Sequence, residues 1–307
     1  MRHEYDSFIF PPLRGRLAGQ SIIPSRFAGL PVGIEIFDRW MVQMWDPGNR
    51  DDQFALVDVP ATPDETVAGR GWVQTQLTGS TITLVDTGFP PFLRIATPAA
   101  SGQGQQMQAA VGATGNTRAL YSTSTATDLF FSITMRLSDA NNNANTVEQV
   151  NLFAGFGAID TSVLAGLDDY MGFAIADGSG IVKMVADQTS GVPTTGASSS
   201  VNIANLSTAA SGGQNLINKW FTLTMVATGL SRTSQTGNLY GFLDYAAAPP
   251  GASKRPPTFR GELDLSILDD VAGADMTPTI AFTAGEAVVK NLDIAKIVCA
   301  AAYRLGA

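Results

Sequence analysis

The two carboxylates closest to a catalytic arrangement are Glu262 and Asp264, which lie in a stretch of alternating polar and apolar residues. In an extended strand, residues i and i+2 point to the same side, so these carboxyl groups share one face. A glycoside hydrolase needs two carboxyl groups across the scissile bond, about 5 to 9.5 Å apart. The shared face equally suits the polar outside of a sheet, and we favour that interpretation over an acid–base pair.

Other catalytic arrangements lack the residues that they require. His3 is the only histidine and Cys299 the only cysteine, so a Ser/His/Asp or Cys/His triad would depend on one base beside the N-terminus. A zinc site would lack the close ligand spacing that such sites show. Cys299 lies in the apolar segment KIVCAAAY, which predicts a buried, unreactive thiol. The sequence therefore predicts a protein that is not an enzyme.

Calcium is the one metal for which ligands exist. The carboxylate pairs Asp51-Asp52, Asp168-Asp169 and Asp269-Asp270 could supply loop oxygens, yet none stands in a D-x-D-x-D-G frame. Acidic loop residues are more often simply solvated. We therefore expect no resident cofactor, with Ca²⁺ as the alternative.

Charge and hydropathy exclude two classes of partner. With a net charge of −8, the chain has no basic surface large enough to hold a phosphate backbone, so nucleic acid is not expected to bind. It contains no 18-residue apolar run, which argues against a membrane span. The N-terminal MRHEYDSFIFPPLRGR lacks the uninterrupted apolar region of a secretory signal, so we expect the chain to be made and folded in cytoplasm.

The elements that must position any site are short strands. From residue 71 onward, about fourteen candidate strands alternate with clusters of Gly, Pro, Asn and Ser, which is typical of an antiparallel sandwich. The clearest are residues 129–137 and 220–227, where apolar residues occupy every second position. The core side chains predicted from these two strands are Phe131, Ile133, Met135, Phe221, Leu223 and Met225.

Turns and loops are predicted from composition. Residues 220–227 and 239–245 form a hairpin whose connection, residues 228–237, is polar enough to be a solvated loop. Asp177-Gly178 is the strongest tight-turn signal of the chain. Low-complexity segments bury little apolar surface and are predicted to be surface loops or subunit contacts: residues 97–115, 139–146, 188–200 and 207–214.

The N-terminal 70 residues differ from the sandwich domain predicted over residues 71–307. Prolines interrupt regular elements, and residues 34–45 fit a helix and a strand equally. Aromatic side chains in such an arm must pack on its own domain or on a neighbouring subunit, so a capping role and an assembly role both stay open. The candidate assembly residues are Phe8, Phe10, Arg14, Arg16, Phe27, Phe37, Trp40 and Trp45.

Several segments together resemble one family. DLFFSITMRLSD, DYMGFAIADGSGIVKMVA, NKWFTLTMVATG with GNLYGFLDY, and TIAFTAGEAVVKNLDIAKIVCAA resemble the concanavalin A-like lectin/glucanase jelly roll, in the laminin-G-like form of tailed-bacteriophage virion proteins. The resemblance spans about residues 70–303. It implies an all-β, antiparallel jelly-roll sandwich. Glucanases of this family carry an E-x-D-x-x-E strand, whereas Ile267 stands here where the last Glu would follow Glu262 and Asp264, so no catalytic residue is implied.

The resemblance implies a non-enzymatic virion structural protein. We expect a capsid decoration or cement protein, located in the virion, that contacts phage capsid or other virion proteins and forms a homo-oligomer, a trimer or dimer. The alternative is a carbohydrate-binding head or tail-fibre domain that binds surface glycans. Its candidates for stacking on a sugar are Trp40, Trp45, Trp72 and Trp220.

Overall fold

The computed structural model describes residues 40–45, 71–85, 92–111, 118–119, 126–139, 148–160, 162–165, 167, 169–187, 192–197, 199–206, 216–231, 236–245, 258–265 and 276–303. Phe8, Phe10, Arg14, Arg16, Phe27 and Phe37 lie outside these residues. Within them no helix is long and apolar enough to cross a membrane.

The regular elements of the described ranges are strands. They are β1 (Trp40–Trp45), β2 (Gly71–Gln76), β3 (Thr81–Val85), β4 (Phe92–Ala96), β5 (Gly104–Val111), β6 (Arg118–Ala119), β7 (Ala126–Asp139), β8 (Val150–Ala158), β9 (Tyr170–Ile175), β10 (Ile181–Asp187), β11 (Ser199–Asn205), β12 (Phe221–Ser231), β13 (Thr236–Tyr245), β14 (Thr258–Asp264), β15 (Met276–Ala284) and β16 (Lys290–Tyr303).

The strands form two antiparallel sheets. The front sheet has the order β14-β13-β12-β7-β16-β4-β3, and β1 also pairs with β16. The back sheet has the order β11-β10-β9-β8-β15-β5-β2, and β6 also pairs with β5. Some neighbours are consecutive hairpin strands, but others, such as β7 with β16 and β8 with β15, are far apart in the sequence. The chain crosses repeatedly between the sheets, as in a jelly roll. The predicted all-β, antiparallel jelly-roll sandwich is confirmed.

The core lies between the two sheets and follows the alternation of the strands. All six core side chains predicted from residues 129–137 and 220–227 are at most 1% exposed. Phe131 of the front sheet meets Phe156 of the back sheet edge to face, with ring centroids 5.9 Å apart. Every second side chain of a strand thus faces the opposite sheet, and the remainder forms what we call the outer face of each sheet.

The outer face of the back sheet is covered by its own loops. A second apolar cluster there contains Phe153 and Tyr170 from the sheet, with Val163, Leu164 and Leu167 from the loop after β8. This cover explains why β15 is buried along its whole length rather than at alternate positions.

Two sequence predictions are corrected by the strand bounds. Residues 104–111, inside a segment predicted to be a surface loop, form β5, which pairs with both β2 and β15. Its polar residues fit a sheet because buried side-chain amides hydrogen-bond to the covering loop. The predicted loop of residues 228–237 is mostly strand, since β12 continues to Ser231 and β13 begins at Thr236.

Residues 40–45, left open between helix and strand, form β1. Trp40 pairs with Ala302 and Trp45 with Ile297 of β16. This part of the predicted arm therefore adds a strand to the front sheet of its own chain. The arm boundary at residue 70 stays a prediction, and the side chains of β1 lie outside the described features.

We predict that Gly155→Ala destabilises the sandwich by about 2 kcal/mol or more. Gly155 pairs with Gly172, and a Cβ added at Gly155 would overlap the carbonyl oxygen of Met171 and the Cα of Gly172. Backbone atoms inside a sheet have little room to move. Equilibrium denaturation in guanidinium chloride measures the effect.

Gly157→Ala is the matched control on the same strand. Its new Cβ would lie 3.0 Å from Cδ2 of Leu167, a side-chain atom that can shift. We expect a loss below about 1 kcal/mol. Equal losses for the two variants would show that the close approach of β8 and β9 is not what requires glycine.

Candidate functional site

The outer face of the front sheet carries a ladder of short polar side chains. Ser132 of β7 lies 2.9 Å from Thr224 of β12, hydroxyl to hydroxyl, and Thr134 lies 2.9 Å from Thr222. These pairs follow from register, because each pair occupies directly opposed positions of neighbouring antiparallel strands. The ladder leads along β7 to Arg136.

Asp293 lies next to the end of this ladder and binds two arginines. Three neighbouring strands, β4, β16 and β7, place Arg94, Asp293 and Arg136 side by side in register. Arg94 donates from Nε to Oδ1 (2.7 Å) and from Nη2 to Oδ2 (3.0 Å). Arg136 donates from Nε (3.0 Å) and Nη2 (2.6 Å) to Oδ2. Although Asp293 points to the outer face, the two guanidinium groups and their neighbours leave it fully buried.

Two aromatic rings complete this group, which we call the arginine–aromatic cluster: Arg94, Arg136, Asp293, Phe92 and Trp220. The Arg136 Cζ lies 4.8 Å from the Trp220 ring centroid and 5.1 Å from that of Phe92. Arg94 lies 5.3 Å from the Phe92 centroid. The two rings meet nearly edge to face at 5.7 Å. Stacking against rings holds both guanidinium planes in fixed orientations.

The cluster keeps donors available for a ligand. The side chains of Arg94 and Arg136 are 33% and 21% exposed. Each uses Nε and Nη2 for Asp293, and neither Nη1 makes a hydrogen bond among the described residues. The hydrogen bond to Asp293 raises the pKa of Arg94, partly offset by burial, so this group stays charged. Two cations around one anion give the cluster a net charge of +1 on an acidic chain.

Glu262 and Asp264 lie at the β14 edge of the same face, exposed to solvent. They stand on one strand and on one side of it, rather than across a cleft from each other. Tyr240 faces Glu262 in register, and the pKa of Tyr240 is raised by burial and by the Glu262 carboxylate. This geometry agrees with the polar outside of a sheet, which the sequence favoured.

The described residues hold no group of three or more His, Cys, Asp or Glu side chains that could bind a metal ion. The carboxylate pairs considered for Ca²⁺ lie outside the described residues, apart from Asp169. Cys299 is fully buried, and burial raises the pKa of its thiol well above the ordinary value. The predicted unreactive thiol fits this position, since the thiolate is the nucleophile.

The outer face of the back sheet is occupied by its own chain. Gln106 accepts a hydrogen bond from Leu164 N at 3.1 Å, and Gln108 accepts one from Asp160 N at 2.9 Å. Gln108 also donates to the carbonyl oxygen of Ala158 at 2.8 Å. These amides hold the loop after β8 against the back sheet, whereas the arginines of the front-sheet cluster reach solvent.

A second charged group lies inside the sandwich, at the start of β16. Lys290 Nζ lies 2.6 Å from Oε1 of Glu286 and 3.4 Å from Oδ2 of Asp139. The side chains of Lys290 and Asp139 are fully buried, whereas that of Glu286 is 35% exposed. Burying a charged lysine is costly unless groups of opposite charge pair with it. Here the carboxylates of Asp139 and Glu286 do so.

Of the four tryptophans predicted from the sequence to stack on a sugar, the structure describes the side chains of two, Trp72 and Trp220. Trp72 packs in the core at 4% exposure and is not available to a ligand, whereas Trp220 lies half-buried on the outer face. The alternation of residues 129–137 puts Arg136 on the side opposite the apolar row, but it does not bring Arg136 together with Arg94 and Asp293. In the sequence, Asp293 is 157 positions from Arg136 and 199 positions from Arg94. The alternation of side chains within a strand does not specify which strands are neighbours.

Neither a family model nor a curated protein sequence matches this chain. In structure it is similar to the exoplasmic/lumenal domain of VIP36 in a Ca²⁺- and mannose-bound form, with TM-score 0.43 and 9% identity over 77% of this chain and 84% of that chain. It is also similar to arcelin-5, a lectin-like defense protein from Phaseolus vulgaris, with TM-score 0.45 and 7% identity over 87% and 100%. Alginate lyase Aly36B gives TM-score 0.41 and 11% identity over 68% and 80%. These similarities concern the jelly-roll fold, and no residue or activity is transferred from them.

We predict that Asp293→Ala lowers the free energy of unfolding by about 1–3 kcal/mol. The change removes the acceptor of the four hydrogen bonds from Arg94 and Arg136 and leaves two cations facing each other. Because both arginines reach solvent, the loss should stay below that of a fully buried pair. Urea denaturation followed by tryptophan fluorescence measures it.

Asp264→Ala is the control, since Asp264 is exposed on the same sheet. We expect a change within about 1 kcal/mol. Equal stability of the Asp293 variant and the wild type would show that the cluster contributes nothing net to the fold.

Proposed function

We propose that this chain is a non-enzymatic carbohydrate-binding module whose sugar site is the arginine–aromatic cluster. The observation that carries the proposal is the pairing of oriented guanidinium groups with two aromatic rings on the outer face of one sheet. The outer face of the back sheet, in contrast, is covered by the loop after β8.

The chemistry of the cluster fits a sugar. Binding sites combine apolar and aromatic surface with a few polar groups in fixed positions. The C–H face of a sugar ring can lie against the exposed part of Trp220, while hydroxyl or carboxylate oxygens accept hydrogen bonds from the Nη1 groups of Arg94 and Arg136. Beside the cluster, Ser132, Thr134 and Thr222 are half-buried on the same face, whereas Thr224 is buried.

Binding without turnover is the better interpretation of this surface. The exposed carboxylates Glu262 and Asp264 share one side of an edge strand, so they do not flank a bound sugar. Asp293 is occupied by two arginines. A guanidinium stays protonated in proteins and does not serve as the general acid or base of glycoside hydrolysis.

We predict that the protein binds a subset of glycans on an array and that Trp220→Ala and Arg94→Gln each weaken this binding tenfold or more. A tenfold loss corresponds to about 1.4 kcal/mol, within the range of one hydrogen bond to a charged group or one aromatic contact. Arg94 is the more exposed of the two arginines, so its neutral replacement tests binding with the least disturbance of the fold.

Lys183→Ala is the control for binding. It removes a cation from the back sheet and should leave binding unchanged.

The bound glycan is then incubated with wild-type protein and analysed for cleavage products, which the proposal expects to be absent. Cleavage that disappears in Glu262→Gln would replace the binding module by an enzyme. Binding that survives both site variants would move the sugar site elsewhere.

We propose as a second function that the chain acts in a bacteriophage virion as a capsid decoration protein, assembled with capsid or other virion proteins as a homo-oligomer. What supports it is that residues 40–45, within the predicted arm, pair with β16 of the front sheet. Six of the eight side chains considered for assembly precede β1, namely Phe8, Phe10, Arg14, Arg16, Phe27 and Phe37. Burial of one Phe or Trp contributes about 1.5–3 kcal/mol, against about 0–1 kcal/mol for an exposed ion pair, so the aromatics would dominate.

We predict that deletion of residues 1–39 leaves a folded sandwich that no longer joins its oligomer or particle. The deletion ends before β1 because residues 40–45 belong to the front sheet. The double variant Arg14→Ala/Arg16→Ala should have a weaker effect. Light scattering measures the oligomer, and mass spectrometry of purified virions measures incorporation. Normal assembly of the truncated chain would limit the arm to a cap.

A further inference from the structure

Lys290 and Asp139 are placed as reaction partners. They occupy directly opposed positions of the antiparallel strands β16 and β7, and their side chains are both fully buried. The Lys290 Nζ lies 3.4 Å from Oδ2 of Asp139. The two groups from which an amide forms, an amine and a carboxyl group, therefore lie next to each other away from bulk water.

The backbone holds Lys290 in this position. Its N–H donates to Oγ1 of Thr97 at 2.9 Å, and its carbonyl oxygen accepts from Thr97 N at 2.9 Å. Asp139 is fixed by the β7–β16 ladder itself. Reacting groups that are fixed in contact avoid most of the entropy cost of meeting, which is worth several kcal/mol of a barrier.

A third group can move protons. Glu286 Oε1 lies 2.6 Å from Nζ, closer than the Asp139 oxygen, and Glu286 alone of the three reaches solvent. A carboxylate at hydrogen-bond distance from an ammonium is in the position of a general base.

We propose that Lys290 and Asp139 join through an intramolecular isopeptide bond, with Glu286 as the proton carrier. Glu286 takes a proton from the ammonium, and the free amine attacks Cγ of Asp139. The C–N bond forms, and one C–O bond of the carboxyl group breaks. The ammonium loses two protons in total, both leave with that oxygen as water, and Glu286 ends unchanged. No oxidant or further reactant takes part.

Burial favours the amide over the ion pair. Two charges away from water carry a desolvation cost that their attraction only partly offsets, whereas a neutral amide avoids it. The bond would link the first residue of β16 to the last residue of β7. It would therefore join two central strands of the front sheet at one end of their pairing. The inference is independent of the sugar and virion proposals, since it concerns the interior of the sandwich.

The test is the intact mass of the full-length protein. The wild type should be lighter than its sequence by the mass of one water molecule. Tandem mass spectrometry of a digest should yield a branched peptide that joins the segments of residues 139 and 290. In a denaturing gel the cross-linked chain should migrate faster than an uncross-linked variant, because the closed loop restricts its extension.

Three variants separate the bond from other water losses. Lys290→Arg keeps the charge but offers no acylable amine, and Glu286→Gln keeps the side-chain length but cannot accept a proton from the ammonium; both should show the full sequence mass. Glu286 is partly exposed, so its variant tests the proposal even where Lys290→Arg does not fold. Lys296→Arg, on the same strand, should keep the cross-link.

The proposal is overturned by a wild type of full sequence mass. It is equally overturned if the water loss maps to Asp177-Gly178, where an aspartate next to glycine can cyclise on its own backbone, or if Glu286→Gln retains the branched peptide at wild-type yield.

Discussion

The pairing of β16 with β7 is the constraint on which the rest of the structure depends. Both strands span 14 residues and lie in the middle of the front sheet. A register shift between Ile294 and Lys296 inserts one extra residue, Ala295, into β16. Leu292 and Ile294 face the core before this bulge, and Ile297, Cys299 and Ala301 face it afterwards. Without the extra residue, one of these two apolar runs would point away from the core.

The same ladder sorts the charges of β16 between the two sides of the sheet. Asp293 points outward because it alternates with Leu292 and Ile294, and it meets Arg136 of β7 there. Lys290 shares the inward side with Leu292 and meets Asp139. The arginine–aromatic cluster and the buried lysine are therefore two results of one register, and a slip of one residue would exchange their environments.

Sequence reasoning reached the fold through local alternation and failed where the information is not local. Alternation along residues 129–137 and 220–227 predicted side chains that are indeed buried, because one apolar row per strand can only face the other sheet. It missed β5, where Gln105, Gln106 and Gln108 stand in place of apolar residues and the amides of Gln106 and Gln108 hydrogen-bond to the loop after β8. It could not pair Arg94 with Asp293 or Lys290 with Asp139, since these partners are 199 and 151 residues apart.

The two charged groups differ in what their chemistry permits, although each joins cations to carboxylates. A guanidinium stays protonated and forms two parallel hydrogen bonds with a carboxylate, so Arg94 and Arg136 can hold Asp293 while their remaining donors face outward. Lysine carries a primary amine that becomes a nucleophile once it loses a proton. Exposure follows the same division: the arginines reach solvent, whereas Lys290 and Asp139 are fully buried and only Glu286 of that group reaches solvent. Side-chain direction on β16 thus decides which charged group lies at the surface of the front sheet and which lies inside the sandwich.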